Sequence, residues 1–92
     1  MITDLDKVKV LLDSRVGQDV IYQCKEYPVK TRNKLHNNTI YKDTNGVSVE
    51  FHDEKNYNTS HTIDVKGFQN CTIQDNTVKI YGKTEVLEIE FI

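Results

Sequence analysis

The chain has 92 residues, of which 37% are hydrophobic, 28% charged and none Trp, and it carries a net charge of −2. That is enough for one small core and too little for two, and the recurring Val, Ile, Tyr and Phe exclude a disordered composition. No run of about 18 apolar residues is present for a membrane span, and Met1-Ile2-Thr3-Asp4 has neither the basic nor the apolar region of a signal peptide, so the expected compartment is the cytoplasm.

Residues Thr3 to about Asp13 read as the only helix. Thr3 can cap the first turn, Asp4 and Asp6 suit its positive end, and Leu5, Val8, Leu11 and Leu12 make one apolar stripe at helical spacing. Gly17 then lets the chain reverse. From Asp19 to Lys25 the pattern is that of a strand, with Val20, Tyr22 and Cys24 on one side, and Pro28 ends it because proline cannot donate to a ladder. Val29 to Asn38 is polar and basic, which predicts a loop or a frayed strand edge.

The clearest signal follows. A strand over 39–42 leads into Asp43-Thr44-Asn45-Gly46, after which Val47, Val49 and Phe51 alternate with Ser48 and Glu50 over 47–51. Asn-Gly tolerates the positive φ of a tight hairpin turn, with Gly46 the expected left-handed residue, and the alternation sets Val47, Val49 and Phe51 against a core while Ser48 and Glu50 face away. His52 to His61 reads as a loop. Further strands are expected over 62–66, 68–73, 77–81 and 85–92, broken by Gly67, Asp75-Asn76 and Gly82-Lys83-Thr84. One helix followed by short strands with frequent turns predicts a mainly β domain over 1–92. The best fit is a small SH3-like or Sm-like antiparallel barrel of five to six strands, with an open sheet carrying the helix across one face as the alternative.

Chemistry is sparse. Cys24 and Cys71 form no Cys-x-x-Cys pair and read as reduced thiols packed on strands, and the sequons at Asn37, Asn58 and Asn70 reflect an Asn-rich chain. A zinc site needs three or four converging ligands, and His36, His52 and His61 with Asp53 and Glu54 offer no rigid ligand spacing, so neither metal nor cofactor is expected. No nucleophile elbow or phosphate loop occurs. Glu88 and Glu90 share a strand face more suited to a solvated surface than to acid/base work, so the chain reads as no enzyme.

The stretch from Lys25 to Lys42 stands apart. Lys25, Lys30, Arg32, Lys34 and Lys42 against Glu26 give it a net of +4, leaving −6 for the rest of the chain. With Tyr22, Tyr27 and Tyr41 nearby, Lys25, Lys30, Arg32 and Lys34 combine phosphate-neutralising charge with rings on which a base can stack.

The order of elements, together with Leu5-Asp6-Lys7-Val8-Lys9, Leu12-Asp13, Val16-Gly17-Gln18-Asp19-Val20, Lys30-Thr31-Arg32-Asn33-Lys34 and Asn76-Thr77-Val78-Lys79-Ile80, resembles the Veg family of small Gram-positive bacterial proteins over about the first 80 residues. The resemblance implies an SH3-like barrel with a regulatory or nucleic-acid-linked role, and a phage or mobile-element origin suits the composition equally. The expected function is a non-enzymatic regulatory or interaction module that binds a macromolecular partner through a barrel face or an exposed strand edge. The Pro28 side and the C-terminal strand are the candidate edges, and a homodimer through such an edge is as open as a monomer. The alternative is nucleic-acid binding by Lys25, Lys30, Arg32 and Lys34. No membrane partner is expected.

Overall fold

The computed structural model describes residues 5–41, 45–53 and 60–92. A single helix among them, α1 (Leu5–Asp13), precedes seven strands: β1 (Asp19–Gln23), β2 (Thr31–Tyr41), β3 (Gly46–His52), β4 (Ser60–Val65), β5 (Asn70–Gln74), β6 (Thr77–Tyr81) and β7 (Val86–Phe91). All pair antiparallel in one sheet of order β4-β3-β2-β1-β7-β6-β5. Seven strands form, rather than five or six, because every alternating stretch finds a ladder, down to β5 with its five residues.

The helix forms as its stripe predicts: Val8 and Leu12 are buried, Leu11 is partly so, and the helix packs against β2. Thr3 and Asp4, the expected cap and charge, and the side chain of Leu5 lie outside the described residues. Gly17 takes φ 89° after the helix and its N–H donates to the Leu35 carbonyl at 2.7 Å, which sets the chain onto β1.

One face of the sheet is mainly apolar, with Asn33 and Asn38 of β2 the buried polar residues on it. Val20 and Tyr22, Leu35, Val47, Val49 and Phe51, Ile63 and Val65, Cys71, Val78 and Ile80, and Leu87, Ile89 and Phe91 are all buried there. The alternation on β3 is therefore right on its inner side. On the outer side it is incomplete, because Ser48 is buried as well.

Two expectations are corrected. The polar stretch over 29–38 is no loop from Thr31 onward: it forms most of β2, an interior strand paired with β1 and β3. The C-terminal strand is no edge either, since β7 pairs with both β1 and β6, and Pro28 sits in the turn between two interior strands. The edges are β4 and β5.

The central hairpin has Tyr41 opposite Gly46, and residues 42–44 of its turn, Lys42 among them, lie outside the described residues. Among its described residues the left-handed one is Asn45, at φ 51°, whereas Gly46 is already the first residue of β3. Asn tolerates this region because its short polar side chain bonds locally. Here Asn45 Nδ2 donates to the Phe68 carbonyl at 2.6 Å, and the Phe68 N–H donates to the Asn45 carbonyl at 2.6 Å. The β4–β5 link is thereby tied to the hairpin turn. It is tied also to the β6–β7 turn, where the Lys83 N–H donates to the Lys66 carbonyl at 3.0 Å. The sheet curls about its apolar face, and among the described residues no ladder joins β4 to β5.

Candidate functional site

The outer face of β1, β2 and β3 carries Asp19, Arg32, Lys34 and Glu50. Arg32 and Lys34 alternate along β2 and meet Asp19 on β1, with Lys34 Nζ 2.8 Å from Asp19 Oδ1 and Arg32 Nη2 3.3 Å from Asp19 Oδ2. These two hydrogen bonds, from Lys34 first and then Arg32, hold the Asp19 carboxyl below its ordinary value despite some desolvation. Lys25 is exposed after β1, and Lys30 lines a shallow cleft with Ile21, Gln23, Glu88 and Glu90. Of the four cations named by the sequence, Arg32 and Lys34 thus share Asp19, and Lys30 stands beside the carboxylates of Glu88 and Glu90.

Tyr22 and Tyr27 are turned inward. Tyr22 is fully buried, stacked on Phe51, and accepts a hydrogen bond from Asn33 Nδ2 at 2.7 Å. Burial pushes its phenol pKa up against the lowering effect of Asn33. Tyr27 is hydrogen-bonded through its hydroxyl to His61 Nδ1 at 3.1 Å. The side chain of Tyr41 lies outside the described residues.

A second constellation went unseen in the sequence. A β-bulge between Leu35 and Asn37 places His36 as an extra residue in β2, so that Leu35 pairs with Phe51 on the core side while Asn37 pairs with Glu50 on the outer side. His36 lies against Glu50 and His52. Its ring centroid is 3.7 Å from that of His52, and His36 Nε2 and His52 Nε2 each lie 3.8 Å from a different carboxylate oxygen of Glu50. One donor atom from each of the three residues falls within 4.8 Å of the other two. Glu54, the other acidic neighbour considered from the sequence, lies outside the described residues, and His61 is engaged with Tyr27 instead.

The sheet edges differ in character. On β4, Ser60, Thr62 and Asp64 are exposed, one of them charged. On β5 the sequence Asn70-Cys71-Thr72-Ile73-Gln74 carries no charge, and Ile73 is 39% exposed. Cys24 and Cys71 are both buried and unbonded, with burial raising the Cys71 thiol pKa. On the outer face of β7, Glu88 meets Lys79 at 3.8 Å, the arrangement of a surface ion pair. Among the described residues no helix is long and apolar enough to cross a membrane. Comparison of the chain with protein-family models, with curated proteins and with solved structures finds no match.

Proposed function

We propose that this protein is a non-enzymatic interaction module that accepts an extended segment of a partner protein along β5. The observation that carries the reading is the edge itself: five residues without a charge or a proline, ending a seven-stranded sheet with Ile73 partly exposed. Sheet edges that are not meant to pair are ordinarily protected by charge, proline or a covering element, and an added strand gains main-chain hydrogen bonds along its whole length. The curled sheet can be taken as an SH3-like or Sm-like barrel left open between β4 and β5, which would suit a regulatory role of the Veg-like kind. What supports this is the pair of ties from the β4–β5 link to the Asn45 and Lys83 turns.

Nucleic-acid binding by Lys25, Lys30, Arg32 and Lys34 is the competing proposal. It is disfavoured by the sharing of Asp19 between two of the cations and by the inward stacking of Tyr22.

Selection of extended peptides from a displayed library, followed by affinity measurement on the soluble protein, tests the edge. The expected result is a family of β-branched segments whose affinity falls at least about tenfold in Ile73→Lys and is insensitive to salt. Binding that survives Ile73→Lys overturns the edge. So does RNA or DNA binding that falls steeply with salt and is lost when Lys30, Arg32 and Lys34 are changed together to Ala, because that pattern assigns the function to the basic stretch. Sedimentation over a concentration series separates a second copy of the chain from a foreign segment, a dimer that Ile73→Lys dissolves being the self-pairing case.

A further inference from the structure

The outer face of the β2–β3 hairpin carries an arrangement that edge binding does not use. We infer that His36, Glu50 and His52 form a binding site for a divalent transition-metal ion of the zinc class. Two imidazole nitrogens and one carboxylate are the donor set that borderline-soft cations prefer over Mg²⁺ or Ca²⁺, which take oxygen ligands.

The geometry is close to what such an ion requires. Metal–donor bonds of about 2.0–2.1 Å at tetrahedral angles put neighbouring donors roughly 3.3 Å apart. Each imidazole Nε2 already stands 3.8 Å from its own Glu50 oxygen, and the three donor atoms lie within 4.8 Å of one another. Small side-chain rotations close the difference. The rings lie with centroids 3.7 Å apart and planes 32° from parallel, and the Nε2 of each stands near the same carboxylate.

The ladder sets the three residues side by side. Lys34 pairs with His52 and Leu35 with Phe51, so His36, next along β2, comes level with Glu50, and the bulge leaves it as the extra residue before the Asn37–Glu50 pair. Two ligands then stand two residues apart on one rigid strand and the third on its neighbour. The site is open to an ion from solution, with side-chain exposures of 37% at His36, 31% at Glu50 and 13% at His52. Lys34, the cross-strand partner of His52, has its ammonium 2.8 Å from Asp19, on the β1 side of β2. Three protein ligands leave a fourth position for water or for a donor from a partner.

Titration of the metal-free protein with Zn²⁺ by calorimetry, and with Co²⁺ by visible absorption, tests the site. The expected result is one equivalent bound, a rise in Tm, and the visible ligand-field bands of low-coordinate Co²⁺. Loss of even an outer partner of a metal ligand typically weakens binding by about 10–100-fold, so His36→Gln, Glu50→Gln and His52→Gln should each weaken it at least that much. His61→Gln, on the histidine held by Tyr27, should leave it unchanged. The Co²⁺ spectrum of the unaltered protein needs no substitution and reads the site even if a histidine variant fails to fold. No uptake at about 1 mM Zn²⁺ overturns the assignment. So does uptake that His61→Gln abolishes, or uptake that survives removal of both His36 and His52.

Discussion

Tyr22 on β1 and Phe51 on β3 lie face to face across β2, with ring centroids 3.8 Å apart and planes 11° from parallel, and Asn33 on the intervening strand donates to the Tyr22 hydroxyl at 2.7 Å. The polar contact is what lets two large rings and an amide share one core layer. A buried aromatic truncated to alanine costs about 3–5 kcal/mol, which is the expectation for Phe51→Ala. Tyr22→Phe keeps the stack but leaves the Asn33 amide short of a partner, at an expected cost of about 1–3 kcal/mol. Urea denaturation measures both, and a Tyr22→Phe variant as stable as the parent would show that Asn33 finds another partner.

Gly82 makes the closest backbone approach of the glycines that can be compared. A β-carbon there would stand 2.6 Å from the Lys66 carbonyl oxygen and 2.7 Å from Val65 Cγ1, so Gly82→Ala must push the β6–β7 turn off the end of β4. The expected loss is about 1–3 kcal/mol or more. Gly17→Ala meets no atom within 4 Å and bears only the strain of its left-handed φ, about 1–2 kcal/mol. Thermal melting of the two variants should place Gly82→Ala lower, and the reverse order would argue against the tie between the two halves of the sheet.

Acid sensitivity should report on Asp19. Its carboxyl titrates lower in the folded chain than its ordinary value of 3.8, because Lys34 and Arg32 hydrogen-bond to the charged form. A depressed carboxyl contributes stability that is present above the unfolded value and is lost as pH falls through the folded one. The stability difference between the parent and Asp19→Asn should accordingly be steady near neutrality and shrink below about pH 4. Denaturant midpoints across pH 7 to 2 would show it, and a constant difference would mean that the two ion pairs add nothing to folding.

Asn45 is the turn residue on which the hairpin and the β4–β5 link both depend. Asn45→Gly keeps the left-handed backbone but removes the side-chain bond to Phe68, and should cost about 1 kcal/mol. Asn45→Val adds the backbone penalty and should cost more, by about 1–2 kcal/mol. Equal stability of the two variants in urea would place the whole effect in the side-chain bond.

Much of the fold was legible because apolar alternation is a local signal. Val47, Val49 and Phe51, Val78 and Ile80, and Leu87, Ile89 and Phe91 all point where their spacing says. β2 was not legible, for two reasons. Its inward positions include Asn33 and Asn38, both buried, whose amide nitrogens donate to Tyr22 and Asp13, so that polar residues stand where pattern reading looks for apolar ones. The bulge at His36 then shifts the period by one in mid-strand. The cluster of His36, Glu50 and His52 was hidden as well, since separation along the chain says nothing about which residues of β2 and β3 the register sets side by side. The pairing of Arg32 and Lys34 with Asp19 depends on the β1–β2 register, which only the ladder reveals.

The strand order has a kinetic meaning. β1 to β4 form one meander and β5 to β7 another, each built from contacts between consecutive strands, whereas the β1–β7 ladder joins Val20 to Phe91 across about 70 positions of chain. Closing that loop is entropically the most demanding step of assembly, and neither meander can cover its apolar face until it happens. The chain should collapse locally at first and acquire its stability only when β7 docks beside β1. Substitutions at the seam, such as Ile89→Val, would then slow the rate of folding more than equally destabilising ones within the β5–β6 hairpin.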